Sequence, residues 1–376
     1  MPATSPSALA SILLPTTTQA ARLEECLDAL ARRLPAALPV EIVVVASAST
    51  PEVKRVLAAA EDSRLRVVEC AVNLGVAGGY NRARAAARGE LLCLLHDDTV
   101  IGEGWLEAML DAADRYPDTG VFASVVTDPD GTLQSAGSML WADAIPGRAW
   151  PAETAMESIR EAAPVDFGPS CALAVRAELF DAIGGLDERF HPGYYVDVDC
   201  AFACREAGRL VRLVPAARAV HHRRSSSSAA YRDFLAERNR QRFVEKWWHR
   251  LAGRPPLDDS AAGLAAGRAR VGEEAAALVA SGAAVRPLVP RFHLDPGEQE
   301  ERLRREESET LLSYRRYLED QLAATTAALR WLEGQTLELA RLAGVEVEHD
   351  AAGWPRFDRV VEALAAQLRS RGSLLE

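Results

Sequence analysis

The sequence lacks any long apolar segment. No uninterrupted apolar run in its 376 residues approaches the roughly 20 that a helix needs to span a bilayer. The first residues also lack the basic stretch and apolar core of a secretory signal. We therefore expect a cytoplasmic protein, with attachment at the inner face of the membrane as the alternative considered below.

Basic residues are not in excess, and cysteines are few. The chain has 43 Lys and Arg against 54 Asp and Glu, a net charge of −11. A general nucleic-acid coat needs a basic face to neutralise phosphates, so we expect no nucleic-acid partner. The six cysteines lie in mostly apolar surroundings, which favours buried thiols in the core.

The sequence does have a regular alternation of strand and helix patterns. Over the first 120 residues, β-branched runs such as VEIVVVAS alternate with amphipathic segments, linked by a few polar residues. Alternation of this kind predicts an α/β domain whose parallel sheet is covered by helices on both faces. We place this domain at residues 1–252.

The region from residue 253 to residue 376 has a different composition and is predicted to be mainly α-helical. An alanine-rich stretch is followed by a long charged helix pattern. Apolar and small residues recur in that pattern at the spacing of a coiled coil: Leu311, Tyr314, Leu318, Leu322, Thr325, Leu329 and Leu332. About three heptads leave two interpretations open, a helical hairpin within one chain and a homodimer.

Polar side chains follow the leucine-rich run "ELLCLLHDDT". His96, Asp97 and Asp98 mark the carboxyl end of the predicted strand, where ligands bind in open α/β sheets. The two aspartates offer hard oxygen ligands for Mg²⁺ or Mn²⁺ against a diphosphate. The alternative is that they only turn the chain or cap the next helix.

Two further clusters lie later in the chain. In "GYYVDVDCAF", Asp197 and Asp199 precede a helix. If Asp199 caps that helix, Asp197 is left to face a cleft and take a proton from a hydroxyl group; otherwise both are solvated loop residues. In "VHHRRSSSS", imidazoles suit a transition metal and guanidinium groups suit a phosphate.

The segment "YRDFLAERNRQRFVEKWWHR" is a basic amphipathic helix with two readings. Its basic face and tryptophans are typical of a helix on an anionic membrane surface. The alternative is that Phe234, Leu235, Phe243 and Trp247 pack against the α/β domain. The sequence favours packing.

Taken in order, these motifs resemble the family 2 glycosyltransferases of the GT-A fold, especially the bacterial rhamnosyltransferase-like branch. The resemblance runs from about Ser11 to about Trp248 and is carried by "NLGVAGGYNRARAAARGELLCLLHDDT", "GPSCALAVRAELFDAIGGLDERFHPGYYVDVDCAFACREAG" and "VPAARAVHHRRSSSS". It implies a mixed, mostly parallel Rossmann-like sheet with flanking helices, followed here by a helical extension.

The resemblance implies a site for Mn²⁺ or Mg²⁺. Asp98 matches the last aspartate of the family's metal-binding D-x-D motif, whose first position is occupied here by His96. His221 matches a histidine that can complete the metal shell, with His222 as the alternative. The metal would then rest mainly on Asp98.

The resemblance also implies a catalytic base and an acceptor site. Asp197 matches the aspartate of the family's Glu-Asp pair, and Val196 replaces the glutamate. Tyr194 and Tyr195 lie just before this base, which makes them candidates to stack on an acceptor ring.

The nucleotide sugar is expected to contact the amino-terminal half and the basic loop. Ala46 stands where the family usually has an aspartate that contacts the nucleotide. The predicted donor contacts are Pro15, Thr16, Asn73, Gly75, Gly79, Asn81, Asp97, Arg223 and Arg224.

The sequence thus predicts an inverting, metal-dependent glycosyltransferase that moves a hexosyl or rhamnosyl group from a nucleotide-diphosphate sugar to a hydroxyl acceptor. The expected acceptor is a bacterial glycan or another glycoside. A catalytically degenerate binding or scaffolding subunit with the same fold is the alternative, because His96, Val196 and Ala46 depart from the family pattern.

Overall fold

A computed structural model of the protein describes residues 9–151, 153–223, 228–288 and 294–372, with side chains to residue 366. The strands are β1 (Ala10–Thr16), β2 (Val40–Ser47), β3 (Leu65–Cys70), β4 (Leu91–Leu95), β5 (Thr99–Ile101), β6 (Thr119–Thr127), β7 (Leu133–Ala136), β8 (Ser138–Leu140), β9 (Pro146–Arg148), β10 (Ala172–Arg176) and β11 (Leu210–His221). The helices are α1 (Ala20–Arg33), α2 (Pro51–Ala59), α3 (Gly75–Ala86), α4 (Trp105–Arg115), α5 (Ala177–Ala182), α6 (Val196–Glu206), α7 (Ala229–Leu251), α8 (Ala261–Ala280), α9 (Pro296–Ala343) and α10 (Phe357–Gly372).

The main sheet has the strand order β3-β2-β1-β4-β10-β6-β11-β5, and β7 pairs with β6. Strands β1 to β4 are mutually parallel. Strand β10 runs antiparallel to its neighbours β4 and β6, and β11 is parallel to β6. The predicted mixed, mostly parallel sheet is confirmed.

This topology brings distant motifs to one edge. Two strands that are each antiparallel to β10 run in the same direction, so β4, β6 and β11 are parallel to one another. The carboxyl ends of β1, β4 and β11 therefore meet at the same edge of the sheet. The polar motifs after residues 16, 95 and 220 lie there, since they follow or overlap the ends of these three strands.

One compact unit runs to Ser308, beyond the expected boundary at residue 252. Helix α8 packs on it through Leu264 and Val271, which contact Met139 and Trp141. The six cysteines are buried free thiols, as the composition predicted.

A buried ion cluster also attaches the region after residue 252. Asp166 is fully buried and lies 2.8 Å from Arg254, 2.7 Å from Arg270 and 3.5 Å from Arg205. Arg270 is part of α8. An isolated carboxylate at this depth would be costly, so the three guanidinium groups are needed to compensate its charge.

Helix α7 buries its apolar face. Phe234, Leu235, Phe243 and Trp247 are all buried, and Nε1 of Trp247 donates to Asp199. The packing interpretation is confirmed. Membrane attachment through this apolar face does not fit the packing, whereas contact through the basic face, where Trp248 is exposed, stays a prediction. Among the described residues, no helix combines the length and apolar character needed to cross a bilayer.

The second unit begins at Glu309 and contains the rest of α9 together with α10. The expected leucine seam lies on α9. Leu318, Leu322, Leu329 and Leu332 are exposed to solvent there. Whether a second copy covers this face stays a prediction.

Candidate functional site

The residues predicted to bind metal lie together at the carboxyl edge of the sheet. Nε2 of His221 is 3.1 Å from Oδ1 of Asp98. His96 joins them, and one ligand atom from each of the three side chains falls within 4.8 Å of the others. The structure thus adds His96 to the predicted ligand pair.

The ligand types of this cluster suit a divalent ion. Asp98 and His221 are hydrogen-bonded at 3.1 Å, and two ligands bound to one ion at about 2.0–2.2 Å would stand a similar distance apart. The donor set of two imidazoles and one carboxylate is one that divalent transition metals use. These three side chains are therefore able to hold the ion that the family resemblance implies.

The other ring nitrogen of His221, Nδ1, is hydrogen-bonded to Gln134. Nδ1 of His221 lies 2.8 Å from Oε1 of Gln134, and Nε2 of Gln134 donates to Asp128 at 2.9 Å. Because a carboxylate only accepts, the Gln134 amide must present its oxygen to His221, and Nδ1 of that histidine must carry the proton. Nε2 is left to face Asp98.

The neighbouring residues of the basic loop point elsewhere. His222 lies 3.4 Å from Glu25 and 3.4 Å from Arg22, both on α1. It therefore does not replace His221 in the cluster. Arg223 pairs with Asp128 at 3.1 Å. Arg224 lies outside the described residues.

Burial and neighbouring charges shift the pKa values of His96, His221 and Asp98 in different directions. Burial, aided by the charge of His221, lowers the pKa of His96 to about 4, so this ring is neutral near pH 7. Burial also disfavours the charged form of His221, but its interactions with Asp98 and Cys171 together outweigh burial and raise the pKa of His221 to about 10. Burial would raise the pKa of Asp98, but its interactions with His221 and His96 together outweigh burial and lower it.

Asp197 lies in the first turn of α6, close to the metal cluster. Its Oδ1 accepts from the amide of Val198 at 3.0 Å, and its Oδ2 from the amide of Ser170 at 3.3 Å. The hydroxyl of Ser170 lies 3.4 Å from Nε2 of His96. Ser170 thus contacts both the predicted base and the metal cluster. Burial raises the pKa of Asp197, which makes it a better proton acceptor.

Asp199 has a different environment from Asp197. It accepts from Lys246 at 2.7 Å and from Nε1 of Trp247 at 2.7 Å, both on α7. It ties α6 to α7, whereas the sequence suggested that it caps α6. Because Asp199 is already bonded to Lys246 and Trp247, this arrangement is consistent with the prediction that Asp197, and not Asp199, acts as the base.

The loop before Asp197 is held by one buried side chain. Asn239 of α7 donates to the carbonyl oxygens of Phe190 at 3.0 Å and Gly193 at 2.6 Å. Tyr194 and Tyr195 both adopt left-handed backbone conformations, with φ of 68° and 63°. A non-glycine residue in this region needs support from its surroundings, and Asn239 supplies it.

The two tyrosines of this loop differ in exposure. Tyr194 is exposed, and its ring is accessible to an acceptor. Tyr195 is buried, its ring packs 5.5 Å from that of Phe243, and its hydroxyl donates to the carbonyl of Ala144 at 2.8 Å. Stacking of an acceptor on Tyr195 does not fit this placement, because core packing already covers the ring.

On the donor side, Thr16 at the end of β1 holds Asp97. Its hydroxyl donates to Oδ2 of Asp97 at 2.6 Å. Burial raises the pKa of Asp97 to about 6, although the bond from Thr16 opposes that shift. Both residues lie at the edge where a donor was predicted, and Asp97 stands beside Asp98, the predicted metal ligand.

The glycine-rich loop is shaped by close packing. Oδ1 of Asn73 accepts from the amide of Gly75, whose φ is 63°. A Cβ atom at Gly79 would lie 2.6 Å from Cβ of Pro15, so glycine lets α3 approach β1. Asn81 is buried, and its amide bonds to the backbone of Leu186 and to Glu188. A donor contact from Asn81 does not fit, because its polar atoms are already satisfied.

Sequence reasoning missed three residues of this site: Ser170, Gln134 and Asn239. None carries a local signal, because each acts through a contact with a residue 46 or more positions away. The only available hint was that Ser170 follows the turn residues Gly168 and Pro169 inside a motif of the resemblance.

Comparisons with known proteins agree with this architecture. Residues 11–184 match the model of the glycosyl transferase family 2. An N-acetylglucosaminyl-diphospho-decaprenol L-rhamnosyltransferase of Mycobacterium tuberculosis is 27% identical over 214 residues, which is 49% of this chain and 69% of the relative. An uncharacterised protein of Sinorhizobium fredii is 30% identical over 197 residues, covering 50% of this chain and 21% of that protein.

A solved structure supports the fold. The crystal structure of GalNAc-T7 with UDP, GalNAc and Mn²⁺ superposes with a TM-score of 0.53 at 16% identity, covering 74% of this chain and 58% of that one. At this identity the likeness concerns the fold alone. Residues 11–184 of this chain therefore match glycosyltransferase family 2, and the likeness to the solved structure indicates the GT-A fold.

Proposed function

We propose that this protein transfers a sugar from a nucleotide-diphosphate sugar to a hydroxyl acceptor, with inversion at the anomeric carbon and with help from Mn²⁺ or Mg²⁺. The observation that carries the proposal is the position of Ser170. Its amide contacts Asp197 and its hydroxyl contacts His96. This contact supports the proposal because the carboxylate that would act as the base and a side chain that would bind the ion lie on two sides of one small residue.

The residues that would hold the ion are His96, Asp98 and His221. A bound divalent ion neutralises the charge that develops on a departing diphosphate. Asp97 and Thr16 lie beside this cluster and would orient the donor. Arg223 would assist the phosphates if it exchanged its pairing with Asp128 for the donor.

Asp197 would act as the base. Two backbone amides fix its carboxylate, and burial raises its pKa. It would take the proton of the acceptor hydroxyl as that oxygen attacks the anomeric carbon from the face opposite the leaving group. The exposed ring of Tyr194 would stack on the acceptor.

Rhamnosyl or hexosyl transfer to a bacterial glycan or another glycoside is the substrate class we propose. The support is the name of the mycobacterial relative, which is 27% identical over about half of this chain.

We also propose that the exposed leucine face of α9 is covered by a second copy of the chain. Analytical ultracentrifugation of the intact protein should then show a dimer. A monomer at micromolar concentration would refute the proposed dimer.

Replacing Asp197 with Asn tests the assignment of the base. We expect transfer to be lost while binding of UDP or dTDP, measured by calorimetry in the presence of Mn²⁺, is retained. Asp130→Asn, the same change in an exposed turn, serves as the control and should leave both properties intact. Full activity of Asp197→Asn would refute the assignment, and a wild-type protein that binds no nucleotide would favour the scaffolding alternative.

A further inference from the structure

The first position of the metal motif is occupied by an imidazole. The cluster offers two ring nitrogens, from His96 and His221, and one carboxylate, from Asp98. With an acid at position 96, the cluster would have two carboxylates and one imidazole. With His96, it has two imidazoles and one carboxylate.

This donor set discriminates between ions. Mg²⁺ prefers oxygen ligands in a near-ideal octahedron and gives up its water reluctantly. Imidazole suits transition ions, whose affinities for nitrogen-containing sites generally rise from Mn²⁺ towards Cu²⁺. A site with two imidazoles should therefore gain affinity for transition ions without a matching gain for Mg²⁺.

The ring of His96 is held in place for this role. It stacks on Tyr80 with ring centroids 6.4 Å apart, and it meets the ring of His221 edge-on at 5.6 Å. Tyr80 is fully buried, and its hydroxyl donates to the carbonyl of Ser170. Packing against a fixed, buried ring lowers the entropy that His96 would lose on binding an ion.

His221 is equally well prepared. Gln134 accepts from Nδ1 of His221 and so leaves Nε2 as the nitrogen that would bind an ion, once Nε2 releases the proton that it shares with Asp98. Two preoriented imidazoles on different strand ends are hard to explain by packing alone, since both have partners that fix ring orientation rather than simply fill space.

We propose that His96 is a direct metal ligand and that it makes this site selective for Mn²⁺ and later transition ions over Mg²⁺. The inference deepens the proposed function, and it rests on that function only in assuming that the cluster binds a divalent ion. It assigns a role to the residue that departs most from the family motif.

The test measures metal binding directly, without any transfer reaction. The intact protein, freed of metal by chelation, is titrated with MnCl₂ while the paramagnetic resonance signal of free Mn²⁺ is recorded. Competition with MgCl₂ then gives the ratio of the Mg²⁺ and Mn²⁺ dissociation constants. The same measurements are made on His96→Asp and on a control, His222→Asp. His222 follows His221 in the chain but contacts Glu25 of α1.

Loss of an outer-shell partner typically costs about 10–100-fold in metal affinity, and a direct ligand should matter at least as much. We therefore expect His96→Asp to lower the Mg²⁺/Mn²⁺ ratio by roughly tenfold or more. His222→Asp should leave the ratio unchanged. If His96→Asp fails to fold, as judged by circular dichroism, His96→Asn provides the same comparison.

An unchanged ratio in the folded His96 variant would overturn the proposal, as would a wild-type protein that binds both ions equally or neither. The outcome is separable from that of the proposed function. A selective site in a protein without transferase activity would leave this inference standing, whereas an active enzyme with an unselective site would remove only the inference.

Discussion

Gln134 provides a sharp test of how the metal cluster is organised. Its side-chain oxygen is the acceptor for Nδ1 of His221 at 2.8 Å, and its amide group is itself oriented by Asp128. Gln134→Met preserves the length and volume of the side chain but removes the acceptor. Nδ1 of His221 would then lose the partner that selects its protonation, and the ring could expose either nitrogen to the ion.

The structure sets the size of this effect. A single hydrogen bond contributes about 0.5–1.5 kcal/mol, and loss of an outer-shell partner costs about 10–100-fold in metal affinity, or roughly 1.4–2.7 kcal/mol. The two ranges meet near tenfold. We therefore expect Gln134→Met to weaken Mn²⁺ binding about tenfold, as measured by paramagnetic resonance titration.

Gln241→Met is the matched control for this prediction. Gln241 lies on the exposed side of α7 and bonds to Glu237, so the same chemical change there should not affect Mn²⁺ binding. An unaltered Mn²⁺ affinity in Gln134→Met would refute the argument that this glutamine orients His221. A similar loss in both variants would do so too, because it would point to a general effect on the fold.

Two further predictions concern residues that support the site. The charges of three arginines outweigh the effect of burial and hold the pKa of Asp166 well below its usual range. Asp166→Asn should lower the free energy of unfolding by about 3–5 kcal/mol in urea denaturation at pH 7. A carboxyl group with a depressed folded pKa stabilises above its unfolded pKa of about 3.9 and loses that contribution as the pH falls. The difference from wild type should therefore narrow below about pH 4, and a constant difference would contradict this origin. Asn239→Leu removes the donor that holds Phe190 and Gly193, which corresponds to about 1–3 kcal/mol for unsatisfied buried groups. It should lower kcat/KM for the acceptor about tenfold or more while leaving the Kd of the nucleotide unchanged, and an equal loss in both would indicate a merely structural role.

The strand and helix pattern was predictable because it is local. Continuous apolar runs specified β1, β2 and β4, and each ended in polar residues that the structure places at one edge. The direction of β10 had no such signal. Nothing in "CALAVR" distinguishes a strand that runs antiparallel between β4 and β6 from one that extends the parallel series, since direction is set by pairing with strands about 50 to 80 residues away.

In the candidate site too, residues with a local motif were predictable, whereas residues whose role depends on distant contacts were not. Asp98, His221 and Asp197 were expected from their motifs; the structure brings Asp98 and His221 into contact and links Asp197 to His96 through Ser170. His96 appeared only as a departure from a pattern, because its value depends on the proximity of His221, more than 120 positions later in the chain. Tyr195 and Asn81 were assigned to ligands for the opposite reason: their type and position suggested contact with a ligand, whereas tertiary packing already covers both.

The boundary at residue 252 has a physical consequence for the site. Asp166 lies four positions before Ser170, the residue that contacts both His96 and Asp197. Two of the three arginines that neutralise Asp166 come from residues 254 and 270. A chain ending at residue 252 would leave this buried carboxylate with Arg205 alone, at 3.5 Å. The segment that carries Ser170 would then lose its anchor, because an under-compensated buried charge favours a local rearrangement that lets in water. Arg254 and Arg270, which lie beyond the expected domain boundary, therefore help to anchor the segment that carries Ser170, beside Asp197 and His96.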